Sequence, residues 1–171
     1  MATGDEIQVV VFRVGPQEFA LDIFQIERIL RYEKPAVMPN APAFLEGVIQ
    51  YGGAVVPVVD LRKRLEVPAT ASEDMRVVVI QLEDQRVGLI VDQVVEVTRV
   101  DSTTITAPPP IVRGLAAEFI AGVIARPNRT IILLQAGKLL NSRERIALTA
   151  LEPATAAAGA GAPAKPARKG R

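Results

Sequence analysis

FLEGVIQYGGAVVPVVDLRKRL at residues 44–65 and FIAGVIARPNRTIILLQAGKLL at residues 119–140 are one segment written twice. Aligned without a gap, they are identical at Phe44/Phe119, Gly47/Gly122, Val48/Val123, Ile49/Ile124, Lys63/Lys138 and Leu65/Leu140. VPVV (56–59) faces IILL (131–134), an apolar run of strand length in each copy. Upstream, VVVFRVGPQEFAL (9–21) lies over VVVIQLEDQRVGL (77–89), with Val9/Val77, Val10/Val78, Val11/Val79, Gln17/Gln85 and Leu21/Leu89 identical. The chain therefore reads as two copies of one β-rich unit, and a repeat constrains a fold before any single motif does. The groove between two such units is a natural binding surface.

Composition narrows the function. The 171 residues are 49% hydrophobic, but only 4% are aromatic and Trp is absent. The core must be built from Val, Ile and Leu, which favours strands. A net charge of +1 gives no bulk field for nucleic acid or a membrane surface. Setting aside the tail's Lys165, Arg168, Lys169, Arg171 and Glu152 leaves 16 of the 20 basic and 18 of the 19 acidic residues, a net of −2. Cys is absent, which removes disulfide and thiol chemistry. His is absent too, which removes a His general base, a His metal ligand and a His phosphoacceptor. MATGDEIQ has no basic n-region or apolar h-region, and no apolar run is of spanning length. A soluble, cytoplasmic protein is expected.

The punctuation of the sequence places the elements. Residues 7–14 and 18–21 read as a hairpin turning at Gly15-Pro16-Gln17. Asp22 reads as the N-cap of a short helical stretch whose apolar face is Ile23, Ile26, Ile29 and Leu30, leading back into a strand. A Pro-rich connector follows, then strands at 46–50 and 54–59 turning at Tyr51-Gly52-Gly53, and Asp60 capping LRKRLE. The second unit repeats this with strands at 75–82, 86–91, 119–125 and 130–134. The expected domain runs over 7–150: lobe one about 7–65, lobe two about 75–140, and a C-terminal helix about 137–150. Residues 152–171 are low complexity and read as a disordered basic tail. Short strands joined by tight turns curl into barrels, which hides their edges.

Candidate chemistry gives way to plainer readings. Asp60 after VVPVV reads as a helix cap, since the long helices and acidic pair of a phosphoacceptor domain are missing. Asp92 with Glu96, and Asp22 with Glu27, read as caps and solvated charges more readily than as carboxylate pairs. Gly52-Gly53 lacks the flanking pattern of a phosphate loop and reads as a hairpin turn. Pro108-Pro109-Pro110 reads as a spacer, and the basic tail, without interleaved aromatics, as solubilising. More informative are Ile23, Ile26 and Ile29 and their counterparts Val91, Val94 and Val97, with Val95 beside them. Each set is an apolar stripe next to charge near a unit boundary. It is either simple core or a groove that accepts a partner helix.

The chain also resembles the CheW family of chemosensory adaptors. FRVGPQEFALDIFQIERI, PNAPAFLEGVI, VVPVVDLRKRL, VGLIVDQVVEV and LLQAGKLLNSRE carry the likeness, from about residue 7 to 150. The CheA regulatory domain and the CheV N-terminal domain share the pattern but carry further domains, so the likeness is to the stand-alone adaptor. The resemblance implies a mainly β fold of two tandem SH3-like five-stranded β-barrels, with a few short helices and a C-terminal helix. It implies no catalysis, cofactor or metal. It implies an adaptor coupling the cytoplasmic helical tip of a chemoreceptor to the regulatory domain of a CheA-type histidine kinase. The protein would be cytoplasmic, a monomer alone, and recruited to membrane-associated arrays without binding nucleic acid or inserting in the membrane.

By resemblance, the receptor helix would lie in a groove lined by Ile23, Ile26, Arg28, Ile29, Val91, Val94 and Val95. The kinase would meet Phe44, Glu46, Gly47, Val48, Ile49, Gly52 and Gly53, with a second contact at Ile111 and Val112. Two positions depart from the family pattern. Gly52 stands where an N-L-R-G turn has Arg, and Arg28 where a V-x-E-I pattern has Glu. Losing a guanidinium and inverting a charge are not conservative changes. They imply an adaptor tuned to a pathway other than the flagellar one. Two other classes are weaker: an enzyme using only carboxylates and lysine, and a small-molecule-sensing regulatory domain of a two-component pathway.

Overall fold

The computed structural model describes residues 5–68, 72–82, 85–107, 119–140, 144 and 147. The Val- and Ile-rich stretches are all strands. β1 (Glu6–Val14) and β2 (Gln17–Asp22) form the first hairpin, followed by β3 (Ile26–Arg31), β4 (Leu45–Tyr51), β5 (Ala54–Asp60) and a one-turn helix α1 (Leu61–Arg64). β6 (Arg76–Leu82) and β7 (Gln85–Val91) form the second hairpin, followed by β8 (Gln93–Asp101), β9 (Ile105–Thr106), β10 (Ile120–Arg126) and β11 (Arg129–Leu134). The helical stretch expected from Ile23 is a single 3-10 turn, Ile23–Gln25, capped by Asp22, after which the chain is extended. Hydrogen bonding to β6 holds Ile26 to Arg31 as a strand, and a spacing that fits a helix yields to that pairing. Ala136–Lys138 is a 3-10 turn, and Glu144 and Ala147 are helical. The other residues of the C-terminal helix expected over about 137–150 lie, from 141 on, outside the described residues, as does the tail.

The strands make two sheets. The first has the order β8-β1-β2-β11-β10-β9, and the second the order β3-β6-β7-β5-β4. The two-barrel, mainly β expectation holds, but lobes of 7–65 and 75–140 do not match the pairing. Hairpin β1–β2 pairs with β8 and, in parallel, with β11; hairpin β6–β7 pairs with β3 and, in parallel, with β5. Each repeat lends its first hairpin to the sheet of the other. A sequence repeat cannot disclose such an exchange, because either hairpin offers the same apolar pattern to its own unit and to the twin.

The exchange is symmetric to the residue. β1 pairs with β8 and β6 with β3, and both pairings carry a bulge at the same repeat position, leaving Val95 and Glu27 as the extra residues. In each lobe the chain then crosses from one sheet edge to the other. β8 runs through a turn into β9, which pairs with β10; β3 leads on to Ala36, which bridges to Val48 of β4. That crossing explains Gly47 and Gly122. A Cβ on Gly47 would meet the Ala36 carbonyl oxygen, and one on Gly122 would meet the Ile105 side chain.

Three apolar clusters hold the fold. Val9, Val11, Ala20, Val100, Ile124, Ile131 and Leu133 fill the first lobe. Val56, Val58, Met75, Val77, Val79 and Ile90 fill the second. Alternate residues of the same strands, among them Phe12, Leu21, Ile80 and Leu89, join a larger cluster shared by both sheets. The two hairpins are apolar on both faces because each face is covered, one by its own lobe and one by the other. Phe12 is fully buried there, and truncating it to Ala would cost about 3–5 kcal/mol.

Candidate interaction surface

The 3-10 turn Ile23–Gln25 sits where the sheets meet, packed against both β1 and β6. Asp22 fixes it by accepting a hydrogen bond from the Phe24 N–H at 2.9 Å. Ile23 is half-buried, while Phe24 is 89% exposed. On β3, Ile26 and Ile29 are half-buried against the shared cluster, and Val94 of β8 packs on the same cluster. Ile26 and Val94 are repeat partners, lying opposite Ile80 and Phe12. Arg28 and Val95 are exposed. Val91 is corrected: it is wholly buried at the end of β7 and offers nothing to a partner. Sequence reasoning passed over Phe24, and placed Val97, 51% exposed, only as a counterpart. Phe24's place two residues after the capping Asp22, in the middle of a three-residue turn, was the available signal.

The second surface is built on β4 and α1. Phe44 is half-buried against the shared cluster, with the Arg64 guanidinium 5.7 Å from its ring centre. Arg64 also pairs with Glu144 at 2.9 Å. Glu46 is the extra residue of the β4 bulge and takes a 2.7 Å hydrogen bond from Lys63. That bond chiefly holds the Lys63 pKa above its ordinary value, with burial opposing. Gly47 is buried, Val48 and Ile49 are half-buried, and Gly52 and Gly53 form the exposed hairpin tip. Ile111 and Val112 lie outside the described residues. A cavity of about 430 Å³ opens between Phe44, Lys63, Arg64, Phe119 and Glu144.

Asp60, Asp92, Glu96, Asp22 and Glu27 bond to cations or backbone N–H groups, and among the described residues none pairs with another carboxylate. Asp60 does cap α1, accepting from the Arg62 N–H at 2.9 Å. It also takes both Nε and Nη2 of Arg62 at 2.9 Å, in a buried fork. Arg62 Nη1 reaches Asp92 at 3.3 Å, and Asp92 accepts the Gly15 N–H at 2.6 Å. The hydrogen bond to Asp60 raises the Arg62 pKa, with burial opposing and both carboxylates adding to the rise. Glu96 pairs with Arg129 at 2.8 Å, and Arg129 also holds Glu18. Glu27 pairs with Arg86 at 2.9 Å, and the Arg86 guanidinium lies 5.7 Å from the Tyr51 ring centre. No group of three acidic residues able to hold a metal occurs among the described residues. Exposed apolar side chains, Phe24, Val95 and Val97, share this surface with the ion pairs Glu96–Arg129 and Glu27–Arg86.

The CheW-like domain family matches residues 8–144. The chain is 35% identical to the chemotaxis protein CheW of Rhizobium meliloti, over 81% of this chain and 90% of that protein. It is 31% identical to CheW of Bacillus subtilis, over 81% of this chain and 88% of that one. Among solved structures it is similar to the scaffolding protein TtCheW of Thermoanaerobacter tengcongensis, with a TM-score of 0.74 and 31% identity, covering 83% of this chain and 94% of that one.

Proposed function

The chain belongs to the CheW family, and from that premise we propose how its surfaces do the family's work. It is a non-catalytic chemotaxis scaffold that couples chemoreceptors to a CheA-type kinase. The family match over 8–144 carries this conclusion. No helix of the described residues is long and apolar enough to cross a membrane. We place the protein in the cytoplasm, held at receptor arrays by its partners, since the receptor tip it serves is cytoplasmic.

The receptor helix lies across the junction of the sheets, on Ile23, Ile26, Ile29, Val94 and Val95, with Phe24 and Val97 extending the contact. What supports this is the Ile23–Gln25 turn, packed on both hairpins, and the exposure of Phe24, Val95 and Val97. An amphipathic helix needs such an apolar strip with charge at its edge, and Arg28 supplies the charge. The kinase regulatory domain meets Phe44, Glu46, Val48, Ile49 and the Gly52-Gly53 tip. The pathway served is other than the flagellar one, on the strength of Arg28 and Gly52. Affinities of single contacts are micromolar, because an array rests on many weak links in parallel. The reading as a small-molecule sensor has no observation in its favour.

The test is co-sedimentation of the full chain with a receptor cytoplasmic fragment from the same genome. Phe24→Ser with Val97→Ser should abolish it while leaving kinase binding intact. Loss of neither interaction would place the receptor elsewhere on the protein.

A further inference from the structure

The two lobes contain the same seam and close it differently. In each, the chain crossing between sheet edges makes a short pairing, Thr106 with Val123 in one and Ala36 with Val48 in the other. In the first lobe Arg126, the last residue of β10, spans the gap beyond that pairing. It donates to the Arg99 carbonyl at 2.9 Å and to the Thr98 hydroxyl at 3.3 Å. Its repeat counterpart is Tyr51, which packs on the second lobe's own cluster beside Arg86. With no side chain crossing from that position, the seam between β3 and β4 stays open as a groove of about 690 Å³.

The groove's walls carry backbone groups with no partner among the described residues. Val48 exchanges both its hydrogen bonds with Ala36 at 2.9 Å, so its backbone faces away from β5. Its β5 partner is Pro57, which has no N–H to give. Antiparallel pairing alternates, so the N–H and C=O of Gln50 point the same way, into the groove. On the opposite wall the Tyr32 N–H donates to Met75 at 3.2 Å, which turns the backbone of the preceding Arg31 away from β6 and toward the seam. Leu30, Ile49 and Val77 make the lining apolar. Arg31 and Lys34 stand exposed on the rim and form no ion pair among the described residues, and Glu33 beside them leaves a net positive rim.

We propose that this groove takes an extended segment of a partner protein, added to β4 as a strand at Gln50, with an acidic side chain set against Arg31 and Lys34. Main-chain bonds give such additions affinity, and alternate side chains give them specificity. The proposal rests on the scaffold reading, with the kinase regulatory domain as the partner that supplies the segment.

The experiment uses the full chain and the regulatory domain of the CheA-type kinase from the same genome, with hydrogen exchange followed at single amides by NMR. Exchange at Gln50 slows in the complex, and exchange at its counterpart Ala125 does not. Gln50→Pro removes an N–H that has no partner among the described residues, and weakens binding about tenfold or more at an unchanged melting temperature. Arg31→Glu with Lys34→Glu weakens it further at low salt than at high salt. Unchanged exchange at Gln50, or full-strength binding by Gln50→Pro, overturns the groove and leaves the scaffold reading standing. Failure of the unaltered chain to bind any such kinase overturns both.

Discussion

Arg62 reaches Asp92 across 3.3 Å, from the helix that follows β5 to the residue where the chain leaves the second sheet for the first. Asp92 in turn accepts the Gly15 N–H from the β1–β2 turn. One buried guanidinium thus ties α1 of the second lobe to the hairpin of the first. A rigid angle between the lobes is what a scaffold needs to hold two partners in fixed relation.

Arg62→Met should leave Asp60 and Asp92 without their cation. Stranding buried charge costs about 3–5 kcal/mol, somewhat less here because Asp92 is 14% exposed. Urea unfolding measures the loss. Adding Asp60→Asn and Asp92→Asn should recover part of it, because the stranded charges are then gone.

The two repeated glycines should differ in cost. A Cβ at Gly47 meets backbone first, the Ala36 carbonyl, whereas one at Gly122 first meets the Ile105 side chain and reaches backbone only at the Thr106 carbonyl oxygen, 3.0 Å away. Overpacking of this kind costs about 1–3 kcal/mol. Gly47→Ala should fall at the upper end and Gly122→Ala at the lower, by thermal or urea unfolding.

Phe24→Ser and Val97→Ser touch exposed side chains, so stability should change by about 0.5 kcal/mol or less. Receptor binding should fall about tenfold for each. Ile26→Asp and Val94→Asp should lose both binding and stability, because both residues also pack on the shared cluster. Paired melting and binding curves separate the two effects.

Arg28→Glu with Gly52→Arg restores the family pattern. Near those positions the chain has a pair of its own, Glu27 with Arg86, beside Tyr51. The double variant should bind this chain's own kinase less well. Tighter binding would mean that neither residue is tuned to that partner. Gly52 sits at φ 60°, so Arg there adds about 1 kcal/mol of backbone strain, which an unfolding curve reports separately.

Asp101 caps the Ser102–Thr104 turn, and its pKa is lowered by the Thr103 N–H first and the Thr103 hydroxyl second. A depressed carboxyl contributes stability above its unfolded value of 3.8 and loses it as pH falls through the lower folded value. NMR titration should put its midpoint below 3.8, and Asp101→Asn should remove that part of the acid sensitivity.

The strands were legible because period-two apolar runs and Gly or Pro turns mark them directly. Asp22 and Asp60 were legible as caps because each precedes a short helical turn. The exchange of hairpins was not, since identical patterns cannot say which copy pairs with which. Val91 was misplaced for a related reason: its repeat partner Ile23 is half-buried, and sequence similarity carries no burial. Arg62 was hidden inside a run of three basic residues, Arg62 to Arg64, where only the spacing from Asp60 and the buried strand before it hint at a desolvated fork.

The most direct measurement is kinase activity in a mixture of this protein, the CheA-type kinase of the same genome and a receptor cytoplasmic fragment. The scaffold account predicts receptor-dependent activity only when this protein is present, and its loss with Ile26→Asp or Val94→Asp. Equal activity with and without the protein, or no binding to any such kinase, would contradict it.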